Sequence, residues 1–220
     1  MSPIGQRAFD LPVVTGFGHA DFLVSDSNRA AFDWIERWPD WPARALVLYG
    51  PPGCGKTHLA HLWRQKTSAT LIAGEAVAGA EPWSFAGQLA VDDADRAAEE
   101  PLLHLYNSCS ERGGNLLLTM LAPPAATAFA LADLGSRMRA LPTAGIAPPD
   151  DALLAAVLVK HFADRQIRVA PGVIAYLVPR MERSFAAAAA LAARLDQLAL
   201  SAGKPVSVKL ARGVLAEFAT

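Results

Sequence analysis

Eight consecutive residues carry the densest chemistry in this chain: Gly50, Pro51, Pro52, Gly53, Cys54, Gly55, Lys56 and Thr57. Gly50 and Gly55 are separated by four residues and followed by Lys-Thr, the pattern of a phosphate-binding loop. Glycines let backbone amides turn inward toward β- and γ-phosphates. A helix starting near Gly55 would present its positive end to the same anion. Lys56 adds a charge, and Thr57 offers a hydroxyl to magnesium. A chance glycine turn is the alternative, but the apolar run before the loop and the helical pattern after it supply the context the motif requires.

A second group lies in "LAVDDAD" (89–95). An apolar strand ending in acids would set Asp92 beside the magnesium, directly or through water. Asp93 stands where an acid orients an attacking water. The plainer reading is an acidic strand-to-helix turn capped by Asp95.

Five strands are expected to position these residues: 45–50, 70–74, 87–95, 113–120 and 139–146, the last weakened by Pro142. Helical patterns follow the first (56–66), the third (96–111) and, within 125–138, the fourth. Alternating strands and helices predict an α/β fold, a five-stranded parallel sheet covered on both faces. After "APPDD" (147–151) only helical patterns remain, with Asp150, Ser184 and Ser207 as candidate caps and Gly203 as a helix end. The expected division is a leader at 1–19, a nucleotide-binding α/β domain at 20–147 and a small helical lid at 148–220.

The chain has 220 residues, 52% apolar and 19% charged, with a net charge of −1. That composition is globular, and the balance argues against a surface that is basic throughout. The two cysteines, Cys54 and Cys109, read as reduced thiols of a cytoplasmic protein, because a bridge at Cys54 would obstruct the loop. The N-terminus lacks a secretory pattern. The apolar run 185–193 is short, so no membrane span is expected.

The wider pattern resembles the DnaA family of AAA+ proteins. "YGPPGCGKTHLAHLW" (49–63) is similar to that family's loop running into Gly-Lys-Thr-His-Leu-x-His. "DFLVSDSNRAAFDWI" (21–35) resembles its N-terminal segment beside the adenine, "VDD" its acidic motif, "LADLGSRM" (131–138) its arginine-finger segment, and the helices after Asp150 its lid. The resemblance implies bound ATP or ADP with Mg2+, and adds His58 to the nucleotide-side candidates. Taken alone, His58 and His61 each read as helix packing or a capping contact. It also implies that Arg137 is an arginine finger, acting in trans on a γ-phosphate. The competing reading pairs Arg137 with Asp133 at i,i+4, and Arg139 is the nearby rival.

DnaA continues past its lid into a DNA-reading helix-turn-helix, whereas this sequence stops after the last lid helix. That resembles the Hda type, whose members bind the DNA polymerase III sliding clamp (its beta subunit) through an N-terminal peptide and stimulate hydrolysis of DnaA-bound ATP, inactivating DnaA. "QRAFDLP" (6–12) resembles such a peptide, with Gln6 at a pocket rim and Phe9 and Leu11 filling it. Arg7 departs from the usual leucine. The alternatives are a disordered leader, or Phe9 packed on its own domain.

Two departures weaken an enzymatic reading. Beyond Thr119 the strand end is apolar where a polar sensor is usual. Alanines in "SFAAAAALAAR" (184–194) fill the expected place of a second-sensor arginine, leaving Arg183 as the candidate. The expectation is nucleotide binding with slow or absent turnover. A free-standing AAA+ ATPase that loads or remodels a partner is the second reading. A DNA-binding initiator fragment is the third, disfavoured by the near-zero charge. The three tryptophans in "WIERWPDWP" (34–42) read as a helix packed at the sheet edge or, alternatively, a partner surface. AAA+ domains often place nucleotide between subunits, which allows a dimer or nucleotide-linked homo-oligomer, and the sequence leaves the oligomeric state open. Neither sequence-specific DNA binding nor membrane attachment is expected.

Overall fold

The computed structural model describes residues 22–81 and 87–218. These divide into two compact units. One comprises residues 22–81, 87–154 and Arg183–Phe185; the other comprises Ala155–Glu182 and residues 186–218.

The first unit is built on the expected five-stranded, all-parallel sheet: β1 (Ala45–Tyr49), β2 (Thr70–Ala73), β3 (Leu89–Asp92), β4 (Leu116–Met120) and β5 (Thr143–Gly145), in the order β2-β3-β4-β1-β5. Four helices lie beside it: α1 (Arg29–Arg37), α2 (Lys56–Thr67), α3 (Glu99–Glu111) and α4 (Ala132–Arg139). Several ends differ from the sequence expectation. β3 stops at Asp92 because Asp93 turns left-handed, at φ 54°, into a short 3-10 turn. β5 starts only after Pro142, which has no N–H for a ladder bond.

Strand residues are apolar on both faces because both faces are covered. Leu46 and Leu48 of β1 pack with Ile35 of α1 and with Leu59 and Trp63 of α2. The alternate residues Ala45 and Val47 face the other way, with Leu102 and Leu105 of α3 and Leu134 and Met138 of α4. Each fully buried leucine contributes roughly 1.5–3 kcal/mol. The tryptophan run belongs to the first of these cores. Trp41 stacks on the fully buried Trp63 at 5.4 Å, Trp38 meets Trp63 edge-on at 6.4 Å, and Trp41 Nε1 donates to the Trp34 carbonyl at 2.7 Å. Packing accounts for these side chains.

Four further helices follow: α5 (Asp151–Asp164), α6 (Pro171–Leu177), α7 (Phe185–Ala202) and α8 (Val208–Phe218). Asp150 Oδ1 accepts the Leu153 N–H at 2.7 Å and caps α5. Gly203, at φ 60°, ends α7, and Lys204 N–H reaches back to the Ala199 carbonyl at 3.1 Å. Ser207 Oγ accepts the Leu210 N–H at 3.3 Å at the start of α8. The apolar run ends at Ala193, where Arg194 follows, but the helix that begins with it, α7, continues for 18 residues and by length and composition alone is sufficient to cross a membrane. Core helices of bundles meet the same criterion. Here Ala188, Leu191, Ala192 and Leu195 form a buried stripe at helical spacing, and Arg194 and Asp196 sit in ion pairs with Glu217 and Arg165.

Candidate functional site

The glycine-rich loop leaves the C-terminal end of β1, where open parallel sheets place ligands. Gly50 N–H donates to the Met120 carbonyl of the neighbouring β4 at 3.2 Å, fixing where the loop begins. Gly53 and Gly55 take φ of +70° and +104°, values that a side chain would resist. Gly55 leads directly into α2, so the first N–H groups of that helix open toward the loop. Lys56 is 6% exposed, and its ammonium donates to the carbonyls of Gly50 at 2.8 Å and Pro51 at 3.0 Å. An ammonium has three protons. Those bonds hold it inside the curl of the loop, where a phosphate oxygen would replace a carbonyl. Cys54 is buried under the loop as a free thiol, and burial pushes its pKa up even though Lys56 opposes the shift.

The strand end beside the loop gathers the second group. Thr57 Oγ1 donates to Asp92 Oδ2 at 2.7 Å, and Thr119 Oγ1 donates to Asp92 Oδ1 at 2.6 Å. The Thr119 hydroxyl in turn accepts the Asp93 N–H at 2.8 Å. One carboxylate is thus held on both oxygens, and the left-handed turn at Asp93 is tied to β4. Thr119 is wholly buried and received no role from the sequence. The signal for it lay in the register: Val91 pairs with Leu118, so the next residues, Asp92 and Thr119, end side by side. His61 on α2 has its pKa lowered by burial and by Arg64, against a raising influence of Asp92.

These donors fit a magnesium ion. A hydroxyl and a carboxylate oxygen, both hard donors, meet next to a phosphate-shaped loop, and magnesium is ordinarily completed by phosphate and water oxygens.

The segment Arg183–Phe185 belongs to the α/β unit and lies on the loop. Phe185 N–H donates to the Gly53 carbonyl at 3.0 Å. A Cβ on Gly53 would come within 2.5 Å of Ser184 Cβ, and one on Gly55 within 3.0 Å of the Phe185 ring. Gly53 and Gly55 therefore serve close packing as well as backbone turn. Arg183 donates to the Pro149 carbonyl at 3.1 Å and to the Asp151 carboxylate. The sequence pointed to Arg183 here and left Ser184 and Phe185 without a role at the loop.

Arg137 lies in the last turn of α4, on the opposite face of the sheet from α2. Its guanidinium makes two bonds to Asp133, at 3.0 and 3.2 Å, and lies 5.9 Å from the Tyr106 ring centre. The i,i+4 pairing weighed from sequence is therefore formed, with the arginine side chain 41% exposed. Glu99 of α3 positions this helix by accepting the N–H groups of Ala130, at 2.9 Å, and Leu131, at 2.5 Å, just before α4. Arg139 sits 5.7 Å from the Phe129 ring. His58 packs edge-on against Phe22 at 5.1 Å, and Phe22 stacks on Phe32. Gln6, Phe9 and Leu11 lie outside the described residues.

No family model and no curated protein matches the chain. Solved structures do. Domain III of the Thermotoga maritima replication initiation protein DnaA superposes with a TM-score of 0.81 at 18% identity, over 94% of this chain and 99% of that one. AMPPCP-bound DnaA from Aquifex aeolicus gives 0.66 at 16% identity, over 77% of this chain and 61% of that one. The Thermotoga maritima RuvB Holliday junction branch migration motor gives 0.65 at 16%, over 78% and 61%. At such identities the likeness establishes the fold alone, the one these DnaA and RuvB structures share.

Proposed function

We propose that this chain is a nucleotide-binding regulator of replication initiation, of the Hda type. In this reading the body (20–147) and lid (148–220) bind ATP or ADP with Mg2+, the N-terminal peptide binds the DNA polymerase sliding clamp, and Arg137 acts on ATP held by DnaA. The observation that carries the nucleotide part is the joined set Lys56, Thr57, Asp92 and Thr119 at the mouth of the loop. Bound Mg-nucleotide supplies an anion and a cation that complete this set. Lys56 and the loop amides hold the phosphates, Thr57 and Asp92 hold the metal, Asp93 stands at the turn where a water would be oriented, and Thr119 keeps both aspartates in place.

The regulator part is supported by where Arg137 sits. It projects from the helix opposite α2, and its ties to Asp133 are those of a half-exposed pair, worth a few tenths of a kcal/mol. A stronger acceptor, such as the γ-phosphate of another subunit, displaces such a pair readily. A guanidinium delivered in trans accelerates phosphoryl transfer roughly 10³- to 10⁵-fold. Arg183, the nearest candidate for contacting the chain's own nucleotide, is instead engaged with Asp151 and Pro149, which agrees with slow intrinsic turnover.

Surface plasmon resonance against the sliding clamp tests the anchor, with a Gln6→Ala/Leu11→Ala variant alongside. Binding that the variant loses supports this reading; absence of binding in both ADP and ATP removes the link to the clamp. The second reading, a free-standing AAA+ ATPase acting on a replication partner, draws on the same complete Thr57–Asp92–Thr119 set. Robust steady-state hydrolysis by the chain alone would favour it.

A further inference from the structure

The net charge of −1 is not evenly spread. Among the described residues, the α/β unit carries eleven lysines and arginines against fifteen aspartates and glutamates, and the helical unit carries eight against four. Within the helical unit most acids are already matched: Asp164 by Lys160 at 2.9 Å, Asp196 by Arg165 at 4.0 Å and Glu217 by Arg194 at 2.8 Å. Arg168, Arg180, Lys204, Lys209 and Arg212 form no ion pair among the described residues.

Two of these five, Arg180 and Arg212, meet over one ring where α6 packs against α8. Tyr176 of α6 has guanidiniums on it from two directions, Arg180 at 4.3 Å and Arg212 at 6.0 Å from its ring centre. Lys209 lies one turn before Arg212 on α8, and Gly213 and Ala216 complete the same exposed face. Gly213 is a mid-helix glycine that no contact among the described residues requires, since a Cβ there would meet open space. Glycine in a helix interior is disfavoured relative to alanine. A glycine between cations lets an anionic backbone approach the helix closely.

We propose that this α6–α8 face binds the phosphate backbone of a nucleic acid, without reading its sequence. Interspersed cations and an aromatic ring are the chemistry that tracks a nucleic-acid strand. The centre of the face, Gly213 and Ala216, offers no large apolar anchor of the kind an anionic membrane surface demands; the exposed Val208 and Phe218 of α8 stand at the two ends of the helix. The near-zero net charge that argued against DNA binding is an average over two oppositely charged units. The inference stands independently of the clamp and DnaA assignments.

The test is fluorescence anisotropy of the full chain with labelled mixed-sequence oligonucleotides, single-stranded and duplex. With about three phosphates neutralised, affinity falls roughly 20- to 40-fold between ~50 and ~200 mM salt. Arg180→Glu/Arg212→Glu weakens binding at least ~10-fold and flattens the salt slope by about 2. The charge-matched control Arg29→Glu/Arg64→Glu, in the other unit, stays within about twofold at physiological salt. Circular dichroism melting checks that both variants are folded, and Lys209→Glu is a milder probe should the double variant unfold. The proposal is overturned by absence of binding at low salt, by equal losses in variant and control, or by unchanged binding in the variant. Binding to phosphatidylglycerol vesicles but not to oligonucleotides would also overturn it.

Discussion

Two arginine-bearing regions of this molecule make similar bonds for different ends. On α4, Arg137 pairs with Asp133 four residues away on the same helix, so the pair spans one turn and ties nothing distant together. Before α7, Arg183 reaches across more than 30 positions of sequence to a carbonyl and a carboxylate, at Pro149 and Asp151. Losing the first pair leaves every element in place. Losing the second frees the segment whose Ser184 and Phe185 rest on the phosphate loop. Pairing with an aspartate therefore does not by itself mark an arginine as structural. The sequence distance bridged, and what hangs on the bridge, separate the two.

The largest expected effect is on the α4 side. Arg137→Ala lowers stimulation of DnaA-bound ATP hydrolysis by about 10³-fold or more, while clamp binding is unchanged. Loss of both together breaks the division of roles. Next comes the other region: Arg183→Ala destabilises the chain by about 1 kcal/mol in urea melts, discounted because both partners are more than half exposed. If its nucleotide affinity also fell more than about tenfold, Arg183 would be a direct nucleotide contact after all. Asp133→Ala is milder, costing roughly 0.3–0.5 kcal/mol and leaving stimulation intact, since it only unties the arginine.

The smallest effect concerns pH. His161 lies on α5, the helix that also carries Asp151. Burial, Arg165 and Lys160 hold its pKa below the ordinary 6.5, against Asp164. The unfolded chain therefore takes up this proton first, so stability is full above about 6.5 and declines as pH falls below it. His161→Gln should flatten that decline in thermal melts, and an unchanged slope would assign it to other groups.

The loop and sheet were legible because several local signals coincide there. An apolar run, two glycines, Lys-Thr and a helical pattern all specify one geometry, and the C-terminal strand end then places Asp92. Thr119 was legible only as a polar residue in an apolar strand. Its bonds to Asp92 and Asp93 depend on the pairing of β3 with β4, which no local pattern encodes. Ser184 and Phe185 were harder still. They contact residues some 130 positions earlier, and a serine before a helix reads locally as a cap. Glu99 is similar: in sequence it is a first-turn acid of α3, and only the packed structure shows it receiving the N–H groups ahead of α4.

The most direct measurement is a single-turnover assay of ATP pre-bound to DnaA, with clamp loaded on DNA and this protein added with ADP. The account predicts faster hydrolysis that requires the clamp and disappears with Arg137→Ala. A rate unchanged by the wild-type protein, under conditions where it binds the clamp, would contradict it.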